Sequence, residues 1–323
     1  MHHLSKLDTV THGLIGALGS KAGFSQRVGR VATIAFVIGA VFPDIDIVVS
    51  IFGPEFSLRY HRGITHSIIA APFFALILGA IIYRFSSYKN LRVLALMVAL
   101  GIYSHIFFDL ITSYGTVIFD PLSMKRYSWN LVFILDPFIT LPVLAGLILC
   151  WRRKERAVKV SLVVFVFISL YLIFCFYTRQ LNLERINDFA KEKSMDVTKS
   201  SVYPRPLAPF FWLGVIETKE AFYSGNLSIF ESGVNDIEEI PKSDENSFIK
   251  LASKLDEVQL YRWFAEFPVS FYQNENGKHI VGFYDLRFRM LPNRFPFLLK
   301  VVFNKDGSLS GISLNGRSIE GKF

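Results

Sequence analysis

Apolar residues run in long blocks through the first half of this chain and in short alternating blocks near its end. Six long blocks stand out, at 9–24, 31–51, 67–84, 91–112, 131–151 and 159–178. Their lengths suit helices that cross a lipid bilayer. The first is short for a span and reads either as a span or as a re-entrant or interfacial segment. Its small residues Gly13, Gly16, Ala17 and Gly19 suit close packing against a neighbouring helix. Beyond residue 180 the polarity is that of a soluble domain. Alternation at 278–290 and 296–303, the Asn-Lys-Asp-Gly turn at 304–307 and the segment 308–314 predict strands. Residues 182–195 and 244–265 have helical periodicity. The pattern predicts a mainly α protein: a polytopic helical membrane bundle over 1–179, then a C-terminal soluble α+β domain over 180–323.

Composition agrees. Hydrophobic residues make up 51% of the chain and mean hydropathy is +0.37, values of a membrane protein. A net charge of +8 raises the question of nucleic acid. The basic residues gather at span ends, as at Arg152, Arg153, Lys154 and Arg156, so topology explains them and no nucleic-acid partner is expected. Cys150 and Cys175 both lie inside apolar blocks, which leaves no disulfide framework or thiolate metal site. No cleavable signal peptide is expected, because the N-terminus lacks a basic leader and Asp8 and His12 interrupt the first apolar run.

Charge also orients the bundle. With 20–30, 84–92 and 152–159 in the cytoplasm, that side holds eleven Lys and Arg residues, against five on the other side up to the last span. The positive-inside rule favours this arrangement and makes the C-terminal domain extracytoplasmic.

The same orientation brings a set of polar groups to one face. His12 ends the first helix, Asp44 and Asp46 lie late in the second, and His61 and His66 precede the third. His105 and Asp109 sit in the last turns of the fourth helix, and Asp136 begins the fifth. Ionisable groups inside membrane segments are costly to keep and mark function. Imidazole with carboxylate is the usual donor mixture for zinc and related ions. Asp44 and Asp46 fall two residues apart after Pro43. If Pro43 breaks the helix, both acids turn to one centre, or one binds metal while the other holds a histidine ring. His105 and Asp109 share a helix face at i and i+4, as do Asp8 and His12. In each pair both members bind metal, or the acid orients the ring. Gly63 suits a sharp turn between His61 and His66, Thr65 or Ser67 suits a helix cap, and Arg62 is expected to face an anion such as a substrate phosphate. His279, at a strand start, is expected to be an ordinary surface residue.

These motifs carry a resemblance. The run Asp8-Thr9-Val10-Thr11-His12-Gly13, the Pro43–Asp46 segment, His61–Ser67, Ser104–Thr116 and Leu135-Asp136-Pro137 resemble, in matching order over about residues 7–140, the YdjM-type family of membrane-bound metal-dependent hydrolases. More distantly that family is similar to the zinc-dependent phospholipase C superfamily. The resemblance implies metal positions at His12, Asp44, Asp46, His61, His66, His105 and Asp109, and a bacterial inner-membrane location.

A membrane-bound hydrolase is the expectation that follows. One to three divalent ions, zinc first, activate a water to cleave a phosphoester of a lipid or lipid-linked substrate. Asp46 or Asp109 serves as general base where it is not a ligand, and Arg62 binds the substrate. The alternatives are a metal transporter and a non-catalytic metal-binding or assembly protein whose C-terminal domain binds a partner.

Overall fold

The computed structural model describes residues 2–243, 246–289 and 295–319, without the side chains of residues 2–7. The apolar blocks form helices α1 (His2–Lys21), α2 (Phe24–Val28), α3 (Arg30–Val41), α4 (Pro54–Tyr60), α5 (Ala71–Phe85), α6 (Leu91–Leu110), α7 (Pro137–Arg152) and α8 (Ala157–Glu192). Phe42–Ile51 continues α3 as a 3-10 helix, and Ile64–His66 is a 3-10 turn. Among the described residues, three helical stretches are long and apolar enough to cross a membrane: Arg30–Ile51, Leu91–Leu110 and Lys154–Glu192. The pair Pro54–His66 and Ala71–Phe85, bent by 74° at its break, is a broken span or a re-entrant loop and makes a fourth only when counted as one span. The first apolar block, held in α1, is not among them, and α7 is a shorter apolar helix. Large apolar side chains such as Phe73, Leu170 and Ile173 face outward, the surface a lipid environment requires.

The chain divides into two compact units. The first holds Met1–Asp46, Arg62–Arg179 and Pro206–Pro209; the second holds Ile47–His61, Gln180–Arg205 and Phe210–Phe323. The helical boundary near residue 180 thus carries two exchanges, with 47–61 counted in the second unit and 206–209 in the first.

Glycines set the helix spacing in the first unit. A Cβ on Gly39 of α3 would stand 2.2 Å from the Val98 carbonyl oxygen of α6, and one on Gly101 would stand 2.5 Å from the Phe36 oxygen. On α1, a Cβ at Gly16 would meet the Ala40 Cβ at 2.7 Å. Small residues therefore let α1 and α6 approach α3 at backbone contact. His12 lies one turn before Gly16, and His105 one turn after Gly101. Around this spine pack two apolar clusters, one with Ala35, Phe36, Met97, Val98 and Ile102, the other with Ile15, Leu18, Ile139, Val143 and Tyr171.

The second unit contains two antiparallel meanders. The first is β1 (Val197–Pro204), β2 (Phe211–Thr218), β3 (Ala221–Ser228) and β4 (Asn235–Pro241). Helices α9 (Ser247–Ala252) and α10 (Asp256–Phe264) lead to the second, β5 (Pro268–Glu275), β6 (Lys278–Asp285), β7 (Leu299–Phe303), β8 (Leu309–Leu314) and β9 (Arg317–Ser318). Tyr203, Leu213 and Phe222 from one sheet share a core with Phe267, Val269 and Tyr284 from the other. The expected strands near 278–314 are present as β6 to β8; Met290, the last residue of the first of them, lies outside the described residues. The expected helix at 182–195 has no start of its own, because α8 runs through to Glu192. Its last turns place Ile186 and Ala190 against Trp212 and Ile216 of β2.

Candidate metal centre

Helix α3 ends at Val41, and Pro43 begins a stretch of 3-10 turns that carries Asp44 and Asp46. Tighter winding points the two carboxylates at opposite ends of one imidazole. Asp44 Oδ1 lies 4.0 Å from His66 Nε2, and Asp46 Oδ2 lies 3.2 Å from His66 Nδ1. Asp46 also accepts hydrogen bonds from the Arg62 amide (2.8 Å) and the Thr65 hydroxyl (3.0 Å). Of the two arrangements open from the spacing, the structure has the one in which one acid faces the centre and the other holds a ring.

His105 arrives from α6. Its Nδ1 lies 2.7 Å from the Ala40 carbonyl oxygen, which can only accept, so that nitrogen carries the proton. Its Nε2 then offers a lone pair. His66 has Nδ1 against the Asp46 carboxylate and turns Nε2 to the same place. These two nitrogens lie 3.1 Å apart, and both rings are fully buried. Two lone pairs at that distance repel unless a proton or a cation lies between them. Asp109 Oδ2 stands 3.1 Å from His66 Nε2 and 3.5 Å from His105 Nε2, and Asp44 Oδ1 stands 3.5 Å from His105 Nε2. Bonds of about 2.0–2.1 Å to a tetrahedral ion separate its ligands by roughly 3.3–3.4 Å. The separations of 3.1–4.0 Å between the two imidazoles and from each acid to them lie near that value, so Asp44 and Asp109 each join His66 and His105 at close to metal-ligand spacing.

His12 stacks on His105, with ring centroids 3.8 Å apart. Its Nε2 is 3.2 Å from Asp109 Oδ1 and 3.5 Å from Asp8 Oδ1. Neither nitrogen of His12 and neither side-chain oxygen of Asp109 makes a hydrogen bond of good geometry, although the residues are only 3% and 1% exposed. Close approach without a hydrogen bond, at this depth, suits a donor set meant for a cation. Among the described residues two overlapping groups have metal-ligand spacing: Asp44 with His66 and His105, and His12 with His105 and Asp109.

The other predicted residues take different places. His61 follows α4 in the second unit and belongs to neither group. Asp46 also belongs to neither, its carboxylate being occupied as described. Arg62 does not present a free guanidinium for an anion. It is 2% exposed and bridges Asp109 Oδ1 (2.9 Å), Asp8 Oδ2 (3.3 Å), the Asp109 carbonyl (3.3 Å) and the Thr112 hydroxyl (3.0 Å), above the Tyr114 ring. It also makes the sharp turn expected of Gly63: Arg62 has φ +61°, while Gly63 has φ −96°. A left-handed arginine costs about 1–3 kcal/mol and persists where its contacts over-determine it. Ser67 takes the amides of Ile69 and Ala70 ahead of α5, and Thr65 serves Asp46 instead of capping. Asp136 caps α7 through the Phe138 amide and accepts from the Tyr171 hydroxyl at 2.6 Å.

Three hydroxyl partners of the charged site residues were not given that role in the sequence reading, Thr65 having been expected as a cap. Thr9 hydrogen-bonds Asp44 Oδ2, Thr65 binds Asp46, and Thr112 braces Arg62. Each hydroxyl stands next to, or within one turn of, a charged site residue in the chain. That spacing is the signal that was available.

Residues 7–182 match the model of the family described as YdjM inner membrane protein. The chain is 29% identical over 320 residues to the uncharacterized protein YfhP of Bacillus subtilis (strain 168), an alignment covering 93% of this chain and 92% of that protein. No solved structure matches it.

Proposed function

The chain belongs to the YdjM inner membrane protein family, and on that premise we propose that it is a multi-pass membrane hydrolase built on a divalent-metal centre held by Asp44, His66, His105 and Asp109. One observation carries the reading: two buried imidazoles bring their Nε2 atoms within 3.1 Å of each other, with Nδ1 of one against Asp46, Nδ1 of the other against the Ala40 carbonyl, and two carboxylates completing the set. Zinc is the ion this donor mixture favours. Bound there, it supplies Lewis acidity and a water ionised near neutral pH.

The chain's own groups define the rest. Asp46 holds the tautomer and tilt of His66, and the Ala40 carbonyl does the same for His105. His12 Nε2, 3.2 Å from Asp109 Oδ1, is placed to hold a proton and pass it to or from Asp109. The apolar outer surface of the helical unit suits a substrate that arrives through the bilayer, so a phosphoester of a lipid or lipid-linked molecule is the proposed class. Likeness to zinc-dependent phospholipase C is part of this proposal. So are the extracytoplasmic side of the centre and of the C-terminal unit, which rest on the distribution of basic residues.

A second reading is favoured by one feature: four protein donors would close a tetrahedral site, and three of them are at most 1% exposed. Closed four-ligand sites are the structural kind. In that reading the ion pins α3, α6 and the 61–67 turn together and no bond is cleaved.

Metal analysis of the purified protein, with a screen of phosphodiester and phospholipid hydrolysis, tests both. His66→Ala and Asp44→Ala should each lower metal affinity by roughly a hundredfold, about 3 kcal/mol, the share of one ligand in a four-ligand zinc site. Loss of hydrolysis together with metal supports the enzyme. Metal loss that lowers thermal stability in a protein that never hydrolyses these substrates supports the structural centre.

A further inference from the structure

The two groups of metal-ligand spacing cannot both be filled as they stand. His105 belongs to each, and its Nδ1 is committed to Ala40, which leaves Nε2 to serve only one ion. Asp109 divides its oxygens, with Oδ2 toward His66 and His105, and Oδ1 toward His12 and Arg62. On the Oδ1 side the donors are Asp109 Oδ1, Asp8 and His12 Nε2, three groups that would suit a second ion. The Arg62 guanidinium already lies against two of them, 2.9 Å from Asp109 Oδ1 and 3.3 Å from Asp8 Oδ2. It is buried, and its backbone N–H is held by a hydrogen bond to Asp46 Oδ2.

Charge points the same way. Four acids gather here, Asp46 and Asp109 buried and the side chains of Asp8 and Asp44 13% and 11% exposed. With neutral histidines, one divalent ion and Arg62 leave the centre one charge negative. Two ions and Arg62 would leave it one charge positive, with a guanidinium pressed against a metal.

We infer that the Arg62 guanidinium is a built-in second cation of this centre, which limits it to one divalent ion and reserves Asp8, His12 and Asp109 Oδ1 as a second position that opens only when the arginine is removed. The inference rests on the metal-centre reading above and adds the number of ions. It makes Arg62 a positioning residue: it ties Oδ1 so that Asp109 turns only Oδ2 to the ion.

The test is the zinc-to-protein ratio of the full-length chain in detergent, by elemental mass spectrometry after equilibration with zinc. The wild type should hold one ion per chain. Arg62→Met, close in volume and uncharged, should hold two, and Arg62→Lys one. Adding His12→Ala to Arg62→Met should return the ratio to one. His12→Ala alone should leave it at one, a result that decides the matter even where Arg62→Met does not fold. A wild type with two ions overturns this inference and leaves the metal centre standing. So does Arg62→Met that keeps the wild-type helical circular dichroism and still holds one ion, and so does His12→Ala that loses the ion. A wild type with no zinc overturns the metal centre and this inference together.

Discussion

Both units bury charge, and they treat it in opposite ways. In the second unit Asp285 is 1% exposed and Arg287 is 8% exposed. Asp285 accepts from the amides of Glu266, Phe267 and Arg287 and from Arg287 Nε at 2.7 Å, while Arg287 Nη2 donates to the Phe264 carbonyl. Burial works against the Arg287 charge, but Asp285, Tyr203 and Glu266 together more than offset it and raise the guanidinium above its ordinary value. The pair is complete. In the helical unit Asp109, His12, His66 and His105 are buried as deeply, yet His12 and Asp109 lack well-formed hydrogen bonds and two imidazole Nε2 atoms face each other at 3.1 Å. A finished pair reads as architecture, whereas a converging set whose hydrogen bonds are incomplete reads as a binding site, because burying polar atoms short of hydrogen bonds is costly.

The comparison can be broken from either side, and the largest effect should come from the finished pair. Asp285→Ala leaves a buried guanidinium without its counter-charge and should cost about 3–5 kcal/mol of stability in the second unit. Thermal unfolding in detergent reads it, and zinc content of the folded fraction should not change. A drop in zinc would show that the pair serves the centre as well. Gly39→Ala comes next. Its Cβ would stand 2.2 Å from the Val98 carbonyl oxygen, so α3 and α6 must separate at a cost of about 1–3 kcal/mol. That shift moves the Ala40 carbonyl away from His105, so zinc affinity should fall with stability. An unchanged affinity would mean that helix spacing does not set the donor geometry. The smallest effect is expected from Asp46→Asn, which keeps the shape but weakens the hold on His66 Nδ1. Zinc affinity should drop by roughly 10–100-fold with the number of ions unchanged, as for other groups that orient a ligand. Complete loss of zinc would make Asp46 a ligand.

Much of the helical unit was legible because a membrane helix must satisfy its backbone internally and so announces itself by length and apolarity. The first meander was not. β2 is buried over five consecutive residues, so it lacks the alternation that marks a half-exposed strand, and β4 is exposed at nearly every position. The unbroken α8 was hidden by a change of composition near residue 178, where an all-apolar surface gives way to a one-sided one packed on β2. In the site, His66, His105, Asp44 and Asp109 could be picked out by residue type and by position at helix ends. His61 met the same criteria and lies in neither donor group.

The amino-acid sequence by itself determined that this chain carries a helical membrane region followed by a more polar α+β one, and which side chains are of a type that binds metals. Periodicity, length and residue chemistry are local properties, and they survive in any fold the chain adopts. Tertiary structure alone decided what each of those side chains does. Arg62 is beside two histidines in the chain, but Asp8 and Asp109, 54 and 47 positions away, claim its guanidinium. Asp44 and Asp46 differ in role because one ring, His66, comes between them. Charge at short range depends on distances of a few tenths of an ångström, and those are set by glycine contacts between helices far apart in the chain.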